Sequence, residues 1–201
     1  MMRNKKKKSK GFFRENYVSS WNYLKESKNY IYITIGIFFI FTLVGFFIPP
    51  PDSIAEQILK FIEDLLNATQ DMSQIELINY IFWNNLQSSF FGIFFGIFFG
   101  IFPVVSAIGN GYLLGFVAAV VSQEESLLVL WRLLPHGIFE LPAVFISFGL
   151  GLKLGTFIFQ KEKIRTFNRY FWNSIKVFFF IVVPLLIVAA IIEGSLIVLL
   201  G

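Results

Sequence analysis

The stretch LINYIFWNNLQSSFFGIFFGIFFGIFPVVSAIGNGYLLGFVAAVVSQ, residues 77–123, runs 47 positions without a charged side chain. As a single helix it would be roughly 70 Å long, more than twice the hydrocarbon thickness of a bilayer. It must fold back on itself. Pro103 marks the break, with Gly109 and Gly111 close behind, because proline donates no backbone hydrogen bond and clashes with the preceding turn. The expectation is two spans, about 83–102 and 105–122, joined by a very short turn.

Neighbouring stretches extend this pattern. Tyr30 to Ile48 holds 19 uncharged residues, roughly 28 Å as a helix, and Pro49, Pro50 and Pro51 end it. The polar leader before it is too long for a cleaved signal peptide, and no small-x-small site follows. Leu127 to Phe159 is apolar but interrupted by Arg132, Pro135, His136, Glu140, Pro142 and Lys153. It predicts a short half-helix over 127–134, a break at Pro135-His136-Gly137, and a span over 136–159. Val177 to Ile192 predicts a fifth span, after which Glu193 and Gly194 lead into a short apolar tail. The expected fold is an all-α polytopic membrane bundle. A basic leader (1–29) precedes one transmembrane domain (30–201).

Composition supports that class. Hydrophobic residues make up 56% of the chain and charged residues 15%, with 27 Phe among 201 residues. A soluble domain carries roughly 25% charged residues and needs them to cover itself. The balance excludes a soluble globule, a disordered chain and a nucleic-acid-binding domain, despite a pI near 9.3. With no cysteine, disulfides, zinc-thiolate sites and thiol nucleophiles are excluded as well.

The charges sort by side. Residues 1–28 hold nine Lys/Arg and two Glu, and 160–176 hold five Lys/Arg and one Glu. The 49–76 loop holds one Lys and six acids. Positive-inside sorting places the N-terminus and 160–176 in the cytoplasm, and five spans then place the C-terminus outside the cell membrane. Arg132 is the basic residue out of place.

Both cytoplasmic segments carry aromatic stripes among cations: Phe13, Tyr17, Trp21 and Leu24 in one, Ile164, Phe167, Phe171 and Ile175 in the other. They are expected at the lipid interface, with Lys5, Lys6, Lys7, Lys8, Arg165 and Arg169 toward anionic headgroups and Trp21 and Trp172 among them. In the outer loop, Ser53-x-x-Glu56 and Ser73-x-x-Glu76 each read as a capping box that launches a helix. The first helix, 52–66, is expected to lie on the outer membrane surface or on its own bundle. Docking a partner through Glu63 and Asp64 is the sharper alternative.

Three sets of glycines recur every four residues: Gly92, Gly96 and Gly100; Gly111 and Gly115; Gly151 and Gly155. Each set makes a smooth ridge where helix backbones approach closely. The ridges serve either packing within one chain or a homodimer seam. The remaining polar signal is Pro135 to Pro142, which brings together the only His of the chain and an intramembrane Glu. If the segment is helical, His136 and Glu140 share a face one turn apart. A charged acid in a span costs about 2.5–3.5 kcal/mol on insertion scales, so it must be paired, protonated or hydrated. His136 is the nearest partner and Arg132 the next. A structural lock is favoured. A proton or ion path is the alternative, as in transporters with broken helices. Two ligands are too few for a metal, even with oxygen contacts from Asn84, Asn85 or Asn110. No catalytic constellation is present, and an enzyme would need a second acid or nucleophile near Glu140. No cofactor is expected.

LPHGIFELPA at 134–143, with NGYLLG at 110–115 and GLGLKLG at 149–155, resembles the stage II sporulation protein M family. The matching positions are Pro135, His136, Gly137, Glu140, Pro142 and Ala143, with Asn110 and Gly111. In sporulating bacteria the resemblance implies a membrane anchor within a three-protein engulfment machine. That anchor holds two cell-wall hydrolases at the septal membrane and is not itself a hydrolase. The expected function is a non-enzymatic scaffold, dimeric, with extracytoplasmic protein partners and no nucleic acid. A small transporter with Glu140 and His136 lining a path is the alternative.

Overall fold

A computed structural model describes residues 2–124 and 140–200, with side chains placed for 11–122 and 140–199. Every regular element among them is helical. The leader forms α1 (Met2–Glu26) and runs through Ser27 into α2 (Lys28–Phe47). The Ser27 hydroxyl donates to the Tyr23 carbonyl (2.7 Å) at this joint. The proline run stops α2 as expected, since three successive residues lack the N–H that a helix needs.

Helix α3 (Asp52–Thr69) starts directly after Pro51, whose extended backbone turns the chain straight into it. Ser53 therefore lies inside the first turn, and the expected box with Glu56 does not begin this helix. The second box is formed. Ser73 donates its backbone N–H to Glu76 (2.9 Å) and its hydroxyl to the same carboxylate (2.6 Å), which opens α4 (Gln74–Phe94).

A 3-10 turn at Phe95–Ile97 leads into the reversal, and α5 runs from Ile101 to Glu124. The reversal falls at Phe99 and Gly100, both with positive φ (57° and 71°), and not at Pro103. Glycine accepts that backbone without a Cβ penalty. Pro103 occupies the first turn of α5, where its missing N–H has no partner within the helix to lose. Gly109 and Gly111 sit within α5 and do not break it.

Helix α6 (Leu141–Gly155) carries Pro142 in its first turn and ends in a 3-10 turn, Thr156–Phe159. The expected half-helix over 127–134 and its break lie outside the described residues. The last run corrects two expectations. Segment 160–176 and the fifth span are not separate: α7 (Lys163–Val177), a π-turn (Phe178–Val182) and α8 (Val183–Leu200) form one uninterrupted helix. Nor does the helix end at Ile192, because α8 continues through Glu193 and Gly194 to Leu200. The π-turn has a cause in Pro184, which removes one backbone donor and clashes with the carbonyl four residues earlier, and a widened turn relieves both.

Four of these runs are long and apolar enough to cross a membrane: Lys28–Phe47, Ile101–Ser122, Leu141–Phe159 and Lys163–Leu199. Helix α4 is more polar but lies among them. Its residues meet α6 in the same direction, since Gly92 packs on Phe148 and Gly96 on Gly151. They meet α8 in the opposite direction: Ile78 lies at Gly194 and the Phe90 ring at Phe178 (5.6 Å). Helices α2 and α5 run parallel, with Phe38 at Gly111 and Thr42 at Gly115. Helices α2 and α6 run antiparallel, with Ile31 at Gly149 and Phe38 against Phe145 (5.1 Å). Thus α2, α5 and α8 share one polarity, and α4 and α6 the other.

The centre of the bundle holds Ile93, Leu150, Val177, Val182 and Leu186, all essentially inaccessible. The outside is also apolar: Phe39, Ile40, Leu43 and Phe47 on α2 and Phe179, Val188 and Ile191 on the last helix are exposed. Exposed apolar faces of this extent suit hydrocarbon as the solvent. All seven ridge glycines meet helices of their own chain. Added methyls at Gly96 and Gly151 would strike the facing backbone, as would those at Gly111, Gly115 and Gly155, while Gly92 faces Phe148 and Gly100 faces Leu152. Without a hydrophobic drive between helices in lipid, this close approach is what holds them together.

Candidate functional site

Two polar clusters lie within the apolar bundle. The first is built around Glu140, at the start of α6. Its carboxylate accepts a hydrogen bond from the Asn85 amide of α4, across 55 residues of sequence. Neutral amide donors solvate a carboxylate where water is scarce, so the bond fixes the top of α6 against α4. A second acid lies close by. Glu193 of α8 is buried (7% exposed) and lies within electrostatic range of Glu140. Gln74 and Ser195 join α4 to α8 near the same end (3.0 Å). Three helices thus meet at two carboxyls and an amide.

Of the residues expected at this site, Glu140 and Pro142 are placed. His136, Pro135, Gly137 and Arg132 lie outside the described residues, and with them the expected His136–Glu140 pair. Asn110 is elsewhere: it is exposed on α5 and donates to the Ser106 carbonyl of its own helix (2.8 Å). Asn85 and Glu193 completed the cluster without a sequence signal that ranked them. Glu193 looked like the residue that ends an apolar run, and Asn85 is one of several amides in α4.

The second cluster lies at the opposite end of α6, and the sequence reading missed it. The Lys153 side chain is 3% exposed. Its ammonium donates to Glu26 (3.1 Å) and to the Ser27 hydroxyl (3.1 Å). It also lies 4.0 Å from the centre of the Tyr23 ring and 5.0 Å from that of Tyr170. Arg169 donates to both oxygens of Glu26 at 2.8 Å. One carboxylate therefore joins a lysine of α6 and an arginine of α7 to the α1–α2 joint. The two ring faces add cation–π attraction in a desolvated setting. Burial pushes the Tyr23 phenol well above its ordinary range, so the ring stays neutral beside the carboxylate. The available signal was the lysine within GLGLKLG, since a cation in a span demands a partner.

The residues expected at the lipid interface divide. Trp21 and Trp172 are exposed, and Lys25 lies over the Trp21 ring (5.8 Å). Arg165 pairs with Glu162 on an open surface (2.9 Å). Arg169 has the protein partner described above. The side chains of Lys5, Lys6, Lys7 and Lys8 lie outside the described set. Among the described residues, no three His, Cys, Asp or Glu side chains converge as a metal would require.

No curated protein and no solved structure matches the chain. A family model does, and it covers most of the bundle just described, from the first turns of α2 to the Glu193 end of α8. Residues 34–196 match the model described as stage II sporulation protein M, and the chain belongs to that family of membrane proteins.

Proposed function

We propose that the chain is a non-enzymatic scaffold that organises partner proteins at the cell membrane. In a sporulating host these would be the wall hydrolases of engulfment. The observation that carries this reading is α3. It is an 18-residue amphipathic helix with no buried residue, whose exposed stripe includes Ile54, Leu59, Phe61 and Leu66. Four residues separate it from the end of α2, and it carries Asp52, Glu56, Glu63 and Asp64 among those apolar residues. Both polar clusters, by contrast, are taken up in joining helices. A scaffold needs an outward contact face and a rigid mount, and α3 with the clamped bundle supplies both.

In this reading the chain crosses the membrane five times, as α2, α4, α5, α6 and the α7–α8 run. The alternating helix polarities support that count, and the charge sorting supports a cytoplasmic N-terminus and an outer C-terminus. The homodimer must use a seam other than the seven glycines. The exposed outer side of α2 at Gly36, where an added methyl meets nothing, is where we place it.

The test is a photo-crosslinker at Phe61 in living cells, with Ile58→Ser and Leu65→Ser as companions. A discrete protein adduct that disappears in the companions, while the bundle keeps its thermal stability, is expected. Crosslinks to lipid alone would remove the docking role of α3. A transport role is the second reading, and Glu193 beside Glu140 favours it. Proton-coupled flux in liposomes, lost in Glu140→Gln with folding intact, would establish transport in place of the scaffold.

A further inference from the structure

At the Lys153 end of the bundle, α1 and α7 leave an open groove of about 800 Å³ between them. Its charged lining is two arginines, Arg14 and Arg169, and two acids, Glu15 and Glu26. Arg169 and Glu26 are already paired with each other. Arg14 and Glu15 have no ion-pair partner among the described residues. Among the described residues, one cation and one carboxylate without an ion-pair partner thus line the groove, together with the Asn22 amide and the Ser19 hydroxyl. Beside them Phe12, Phe13, Tyr17, Val18 and Trp21 are exposed.

We propose that this groove binds the headgroup of a zwitterionic aminophospholipid, of the phosphatidylethanolamine type. The phosphate takes the Arg14 guanidinium and the Asn22 amide, and the primary ammonium takes Glu15. The charge count selects this class. A purely anionic headgroup would satisfy Arg14 and leave Glu15 facing a like charge. A choline headgroup has the right charges, but its methylated nitrogen has no N–H to donate to a carboxylate. The exposed aromatic and aliphatic side chains select a lipid over a soluble phosphate, because acyl chains cover them. The inference rests on the chain being a membrane protein and is independent of α3, so the scaffold role stands or falls separately.

The test uses the full chain, purified in mild detergent and given equal phosphatidylethanolamine, phosphatidylcholine and phosphatidylglycerol, with bound lipid counted by native mass spectrometry. The ethanolamine lipid is expected in about tenfold excess over either competitor, the factor that one charge-assisted hydrogen bond provides. Glu15→Gln brings it down to the choline level, and Arg14→Gln lowers retention of all three, whereas Arg14→Lys restores most of it. Equal retention of the three lipids, a preference for phosphatidylglycerol, or an ethanolamine preference that survives Glu15→Gln would each overturn the proposal. So would glycerophosphoethanolamine without acyl chains binding as well as the whole lipid. Both residues are exposed; should Arg14→Gln fail to fold, Glu15→Gln decides alone.

Discussion

Removing one member of the Lys153–Glu26–Arg169 cluster should cost different amounts depending on which charge is left behind. Glu26→Gln takes the counter-charge from the Lys153 ammonium, 3% exposed, and leaves it the neutral Gln carbonyl, the Ser27 hydroxyl and two ring faces. Stranding a buried charge costs about 3–5 kcal/mol. The Glu26 side chain is 44% exposed, so water screens part of the pair, and about 2–3 kcal/mol is the discounted figure. Lys153→Met removes the buried charge and keeps its volume. Glu26 then still holds Arg169, and about 1 kcal/mol is expected, since a buried ion replaced by an apolar side chain is often near neutral. At about 2–4 °C per kcal/mol for a chain of this size, Glu26→Gln lowers the transition by about 4–12 °C and Lys153→Met by about 2–4 °C. The double variant should be more stable than Glu26→Gln alone, because no ammonium remains to be stranded. The assay is the temperature at which half the protein stays monodisperse in detergent, at one fixed heating rate, since such unfolding is irreversible. The reasoning is refuted if Lys153→Met is the worse single variant, or if the two losses simply add.

Three further outcomes follow from the packing. Gly96→Leu should disrupt the α4–α6 contact and lower thermal stability, with no specific change in oligomer size among molecules that remain folded. Loss of a dimer with the fold intact would return the glycines to an intermolecular seam. Asn85→Leu should cost about 1–3 kcal/mol, because it leaves the Glu140 carboxylate without its donor. Glu140→Gln should cost less, since the new amide still accepts from Asn85, and thermal scans of both variants compare them. At the α4 cap, the hydrogen bonds from Ser73 hold the Glu76 carboxyl below its ordinary range. A lowered folded value means the cap contributes fully above the unfolded pKa of about 4.3 and is lost as pH falls through the lower folded value. Hydrogen exchange at Leu77 should accelerate relative to the bundle core over that window, and the step should vanish in Glu76→Ala.

What the sequence made legible was local. Uncharged length showed the helices and their class, and the Ser73–Glu76 box marked the start of α4 through contacts only three residues apart. The reversal between α4 and α5 was foreseen, but its position was not. Pro103 is the obvious breaker, yet proline is harmless in a first turn, and the left-handed pair at Phe99 and Gly100 carries the bend. Proline misled again at α7–α8, where Pro184 widens a turn and does not end the run. Glu193 looked like a helix terminus because a charge usually marks a membrane boundary, but α4 covers it. The clusters were out of reach for a different reason. Lys153 meets Glu26 across 127 residues and Arg169 meets Glu26 across 143, and only the assembled bundle brings α1, α6 and α7 to one point. Glycine spacing indicated close packing but was silent on whether the facing helix belongs to the same chain.

Because the chain has no cysteine, single-cysteine labelling reads its course through the membrane without background. Asp71→Cys, Phe98→Cys and Lys161→Cys place one thiol before α4, one at the α4–α5 reversal and one between α6 and α7. In intact cells an impermeant maleimide should label the first alone, and the other two should react only after permeabilisation. Labelling of positions 71 and 98 from the same side would mean that α4 does not cross, and the five-crossing bundle would be contradicted.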